Sequence, residues 1–202
     1  MYKLYDYLPS GNSYKPRLLL SLCGIEYERV DVDILKKETR TPEFLAKNPN
    51  GRIPALELEN GEVLWESNAI LYYLARLGTP YMPQDPLAAA KVMQWMFFEQ
   101  YSHEPFIAVA RFIHMHSDED GPRRAELPAK MTGGYAALDI MQTHLQQHDY
   151  FVGDTLSIAD IALYAYTHVA EEGGFDLKKY TAVRRWIERV ADRPGHILIT
   201  DR

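Results

Sequence analysis

Hydroxyls, carboxylates and amides that could do chemistry gather in the first third of the chain. Ser10-Gly11-Asn12-Ser13 stands between an apolar extended run and a helical one. A helix start offers unpaired backbone N–H groups and the positive end of the helix dipole, which favour an anion. Serine and asparagine are also ordinary turn and cap residues, so the segment carries both readings. Glu66-Ser67 opens another helical run. There the N–H groups and the serine hydroxyl suit a carboxylate, and Glu66 suits an ammonium group. A plain cap would stabilise the helix by about 1 kcal/mol without any ligand. Arg52-Ile53-Pro54 places a guanidinium, whose paired donors fit a carboxylate, beside a proline that opens a strand.

Simple patterns predict the elements that would hold these groups. Residues 2–6 and 27–32 read as strands, Val30 and Val32 alternating with Arg29 and Asp31. Tyr14, Leu18, Leu19 and Leu22 recur at helical spacing up to Gly24. Leu56 and Leu58 alternate with Glu57 and Glu59, and Asn60-Gly61 then turns the chain into Val63-Leu64, a hairpin. A helix over 67–77 closes at Gly78. The order strand, helix, strand, helix, hairpin, helix requires a mixed sheet with a right-handed crossover. Residues 78–86 hold three prolines and one glycine, a linker, and beyond it only helical stretches occur, near 87–117, 124–148, 157–171 and 178–192.

Composition excludes several classes. A net charge of -6 and a pI near 5.6 speak against nucleic acid and anionic membranes, which recruit clustered Lys and Arg. The single cysteine, Cys23, forbids an intrachain disulfide or a Cys-x-x-Cys motif. In Leu-Leu-Leu-Ser-Leu-Cys-Gly it reads as a buried structural thiol, not a nucleophile. The charged opening Met-Tyr-Lys-Leu-Tyr-Asp does not read as a signal peptide, so a cytoplasmic location is the expectation. His144 and His148 lie one turn apart and His114 and His116 on different faces, with no third ligand evident, so no metal is expected.

Taken together, Asn48 to Leu56 and Leu64 to Ile70 resemble the cytosolic glutathione S-transferase family, in a serine-type, theta- or nu-like, bacterial-looking form. The resemblance covers essentially the whole chain. It implies an α/β plus all-α protein: a thioredoxin-like glutathione-binding domain over 1–79, a linker over 80–86 and an all-helical C-terminal domain over 87–202. Pro54 matches the family's cis proline at the third strand. A cis bond there turns the backbone of Ile53 outward to pair with the cysteinyl unit of glutathione. Glu66 and Ser67 match the pair that receives the γ-glutamyl end. Arg52, with Thr39 and Lys36 nearby, falls where the glycyl carboxylate is held, although many relatives carry histidine or glutamine where Thr39 aligns.

By the same resemblance Ser10 is the catalytic hydroxyl and Asn12 an assisting amide, with Ser13 lining the peptide and competing for the role of Ser10. Tyr5 and Tyr7 keep a tyrosine-type site open. A thiol of pKa about 8.5 is mostly protonated at neutral pH, and a donor to its sulfur favours the nucleophilic thiolate. Thr155 to Ile161 matches the family's late signature, a capping box between Ser157 and Asp160 that serves folding. An acceptor cleft would draw on Tyr7, Trp95, Phe98, Tyr101, Phe106 and Arg111, and Met93, Met96 and Phe97 would suit a homodimer interface.

The implied activity is glutathione transfer to a small hydrophobic electrophile, a detoxification chemistry with glutathione as co-substrate. Glutathione-dependent reduction of a disulfide or peroxide is the alternative. A non-catalytic binding or scaffold protein on the same fold is the third.

Overall fold

The computed structural model describes residues 1–201. Strand β1 (Tyr2–Asp6) leads into helix α1 (Gly11–Leu22) through a turn in which the Ser10 N–H donates to the Tyr7 carbonyl at 2.8 Å. Ser10 is the N-cap of α1, and Gly24, at φ +63°, ends the helix in the left-handed conformation. Strand β2 (Tyr27–Asp31) follows, then α2 (Pro42–Lys47), capped by the Thr41 side chain. Strands β3 (Ala55–Glu57) and β4 (Val63–Trp65) form the hairpin around Asn60-Gly61, and α3 (Ser67–Ala75) closes the unit.

The four strands lie in the order β2-β1-β3-β4. Strand β1 runs parallel to β2 and antiparallel to β3, so the sheet is mixed. Leu4 pairs in register with Leu56, and that face meets α1, where Asp6 bonds Arg17. Leu18, Leu19, Ile70, Leu71 and Leu74 are fully buried, and α1 packs on α3. The opposite face carries Val32, Phe44 and Ala55, with Tyr5, Ile53 and Val63 at the margin. Period-two alternation thus covers both faces, as a sheet with helices on each side requires.

The chain divides into two units, Met1–Pro80 with the tail from Arg193, and Tyr81–Asp192. The tail was expected with the helical half. It lies instead on α1, because polar side chains of that helix hold its carbonyls: Tyr14 Oη donates to Ile197 O at 2.6 Å and Ser21 Oγ to Gly195 O at 2.7 Å. Arg17 bridges Leu8 O at 2.7 Å, Ile199 O at 3.0 Å and Asp201 O at 2.9 Å.

The second unit is helical: α4 (Pro86–Phe98), α5 (Glu104–His116), α6 (Leu127–Leu145), α7 (Ile158–Thr167) and α8 (Thr181–Ala191). The helix expected over 87–117 is interrupted by a π-helical turn at Glu99–His103. Periodicity does not reveal an i→i+5 turn, since its residues suit an ordinary helix equally well. At α7 the capping box is complete: the Asp160 carboxylate accepts from the Ser157 N–H at 2.9 Å and Ser157 Oγ at 2.8 Å. It also accepts from the Phe151 N–H and Trp186 Nε1, each at 3.0 Å. Burial pushes the Asp160 carboxyl pKa up, and these donors act against that push. Among the described residues, no helix is long and apolar enough to cross a membrane.

Candidate functional site

Three backbone features of the α/β unit converge on polar groups. At the start of α1, Ser10 Oγ accepts from the Ser13 N–H at 3.4 Å. A hydroxyl engaged as acceptor still has its proton to donate. Ser13 differs from expectation. It is fully buried, its Oγ accepts from the Tyr7 N–H at 3.5 Å, and its hydroxyl bonds Asp6. One helical turn separates the half-exposed cap position from the underside of the helix, where Ser13 fastens α1 to β1.

The two tyrosines have different surroundings, because Tyr5 lies within β1 and Tyr7 just beyond its end. Tyr5 points to the α2 face, its hydroxyl donating to Glu57 at 2.7 Å with Lys47 Nζ 5.1 Å from its ring centre. Tyr7 is partly buried, and burial, with the Asp33 carboxylate, raises its phenol pKa. A raised pKa makes phenolate rarer at neutral pH.

The second feature is the Ile53-Pro54 bond, which is cis. Strand pairing of β3 ends at Ala55, opposite Tyr5 and Trp65, so Ile53 lies beyond the last registered pair. Asn48 holds this approach, its Nδ2 donating to Arg52 O at 2.7 Å. The Arg52 side chain is exposed, Thr39 is buried, and Lys36 Nζ pairs with Asp33 at 3.3 Å.

The third is the start of α3. Glu66, not Ser67, is the N-cap, at φ +70° and ψ 114°. A positive φ costs a non-glycine residue on the order of 1–3 kcal/mol, and such conformations gather at functional sites. The exposed Glu66 carboxylate accepts from Asn50 Nδ2 at 3.2 Å. Ser67 is nearly buried, and its Oγ donates to Asn12 Oδ1 at 3.3 Å, which joins the α1 and α3 starts. Lys15 Nζ, wholly buried, donates to Ser67 Oγ and to Asn68 Oδ1, both at 3.3 Å. Sequence reasoning passed over Lys15, Asn50 and Asn68. Asn50 stands in the segment already singled out, whereas a lone lysine in a helix gives no signal of burial.

Within the helical unit, the residues expected for an acceptor cleft occupy several different environments. Trp95 packs edge-on against Phe98, 5.2 Å between ring centres, and tilted against Phe151 at 4.6 Å. Phe106 covers Gly133 of α6, with Lys130 Nζ 5.8 Å from its ring centre. Arg111 is buried and its Nε pairs with Glu172 at 2.7 Å. Phe106 is half-buried, whereas Arg111 is sealed into the helical unit. Tyr101, on the π turn, is 86% exposed. Of the expected dimer residues, Met96 is buried and Phe97 exposed.

Burial raises the pKa of the half-buried Cys23 thiol, which weakens it as a nucleophile. His144 and His148 stack ring on ring at 4.5 Å. Among the described residues, no three His, Cys, Asp or Glu side chains are grouped to hold a metal.

Comparison with known proteins matches residues 1–76 to the glutathione S-transferase N-terminal domain and residues 90–194 to the glutathione S-transferase C-terminal domain. A glutathione S-transferase structure from Pseudomonas fluorescens is 54% identical, with a TM-score of 0.95 over 99% of each chain. Maleylacetoacetate isomerase of Rhizobium meliloti is 35% identical over 86% of this chain and 84% of its own. Protein URE2 of Eremothecium gossypii is 30% identical over 97% of this chain, which spans 66% of that relative's length. A structure of Ure2p in complex with glutathione superposes with a TM-score of 0.86 at 25% identity, over 96% of this chain and 90% of that one.

Proposed function

We propose that this chain, which belongs to the glutathione S-transferase family along both of its units, binds glutathione on the α/β unit and activates the peptide's thiol with Ser10. The observation that carries this reading is the state of the Ser10 hydroxyl. It caps α1 as an acceptor and keeps its proton for a sulfur placed at the helix start. Support comes from the relative Ure2p, whose structure holds glutathione, and from the cis Ile53-Pro54 bond and the α3 start in the same unit.

In this reading the Ile53 backbone pairs with the cysteinyl unit, the α3 start and Ser67 take the γ-glutamyl carboxylate, and Glu66 takes its ammonium. Arg52 takes the glycyl carboxylate. The thiol loses its proton to solvent, and Ser10, assisted by Asn12, hydrogen-bonds the thiolate. Lowering the thiol pKa by two units corresponds to about 2.7 kcal/mol. The thiolate then attacks an electrophilic carbon, a C–S bond forms, and the leaving group departs with the bonding electron pair.

The experiment is a panel of glutathione with an aromatic halide, a disulfide and a hydroperoxide. Conjugation of the halide supports transfer. Turnover of the disulfide or peroxide alone would replace it with reduction, and no turnover with any of them would leave a binding protein.

A further inference from the structure

Lys15 is the lysine that the fold buries completely, and it lies beneath the start of α3. An ammonium group is costly to take out of water, so its position is determined by what it touches. Its partners include Ser67 Oγ and Asn68 Oδ1, both at 3.3 Å. Ser67 Oγ in turn donates to Asn12 Oδ1 at 3.3 Å. The direction of these bonds has a consequence for a ligand. A hydroxyl has one proton, and its lone pairs can accept from a ligand or from the protein. Lys15 has only donors, so it occupies Ser67 as an acceptor and leaves the Ser67 proton as what the hydroxyl can offer outward. An arriving carboxylate can take that proton from Asn12. A ligand donor would have to share the oxygen with the Lys15 ammonium.

We propose that Lys15 is a positioning residue that fixes Ser67 as a donor and makes the site select peptides with a free α-carboxylate at their γ-glutamyl end. The inference rests on the glutathione reading above. It assigns Lys15 no contact with the reacting sulfur.

The test compares glutathione with γ-aminobutyryl-cysteinylglycine, which lacks only that carboxylate, by calorimetric titration of the full chain and of Lys15→Met. The unsubstituted protein prefers glutathione by roughly tenfold or more, as expected for a charge-assisted bond. In Lys15→Met that preference collapses to about threefold or less through weaker glutathione binding, with the analogue unaffected. A general packing defect would weaken both peptides alike, and that result, or an unchanged preference, overturns the assignment.

Should Lys15→Met fail to fold, the unsubstituted protein labelled with nitrogen-15 at lysine provides the readout, because a buried ammonium exchanges its protons slowly enough to be seen. Glutathione shifts that resonance and the analogue does not. Equal shifts with both peptides overturn the proposal. If the unsubstituted protein binds neither peptide, the glutathione reading itself fails. If it binds both equally, only the role of Lys15 does.

Discussion

Replacing Ser10 with alanine separates a folding role from a chemical one, because the two have different magnitudes. The cap bond from the Ser13 N–H is 3.4 Å long, at the weak end of the range, so its loss costs about 0.5–1 kcal/mol of stability. A hydrogen bond to an anion contributes more, about 1.5–3 kcal/mol. Removing it raises the pKa of bound glutathione by roughly one to two units. The rate of aromatic-halide conjugation near neutral pH then falls by about 10- to 100-fold. Thiolate absorbance followed against pH in the complex measures the pKa directly, and a thermal melt measures stability. Ser10→Thr retains the hydroxyl and keeps the pKa low. Ser13→Ala is the contrasting variant: its buried hydroxyl holds Asp6 and the Tyr7 N–H, so it lowers stability and leaves the thiol pKa in place. A Ser10→Ala complex with an unshifted thiol pKa would refute the reasoning.

Other substitutions test the frame. Asp160→Ala strands the donors of Ser157, Phe151 and Trp186 in the core of the helical unit, and should lower stability by about 3–5 kcal/mol, a drop in melting temperature of about 10 °C. Gly134→Ala should destabilise by about 1–3 kcal/mol in denaturant melts despite alanine's better helix propensity, because the added methyl runs into the Phe175 ring. Burial lowers the pKa of His116, His144 and His196, so the unfolded chain binds protons that the folded one refuses. Stability is therefore full above about pH 6.5 and declines as the pH falls below it. His196→Gln should flatten part of that slope in melts between pH 7 and pH 5, whereas a pH-independent melting temperature over that range would argue against histidines held neutral by partial burial.

Much of this architecture was legible because local signals and tertiary demands agree. Asn60-Gly61 set the hairpin, Gly24 ended α1, and the Ser157 and Asp160 spacing gave the α7 entry. The site was less legible where a side chain's role depends on which face it takes. Ser10 and Ser13 are alike in type and differ by three residues, yet one caps the helix half-exposed and the other is sealed beneath it. Lys15 carries no sequence signal of its burial, because the α3 groups that hold it lie about fifty residues away. Arg111 and Phe106 share a stripe that a cleft or a core could use; in the fold Arg111 is buried and pairs with Glu172, and Phe106 lies half-buried over Gly133, both partners distant in sequence. The tail was misassigned because backbone carbonyls, which no sequence pattern displays, are what α1 holds.

Every step proposed for the α/β unit requires that it bind the tripeptide. Titrating the purified chain with glutathione in a calorimeter tests it most directly. Saturable binding, one peptide per chain, with a dissociation constant in the micromolar to millimolar range, is the predicted result. Heat that never saturates through the millimolar range would contradict it.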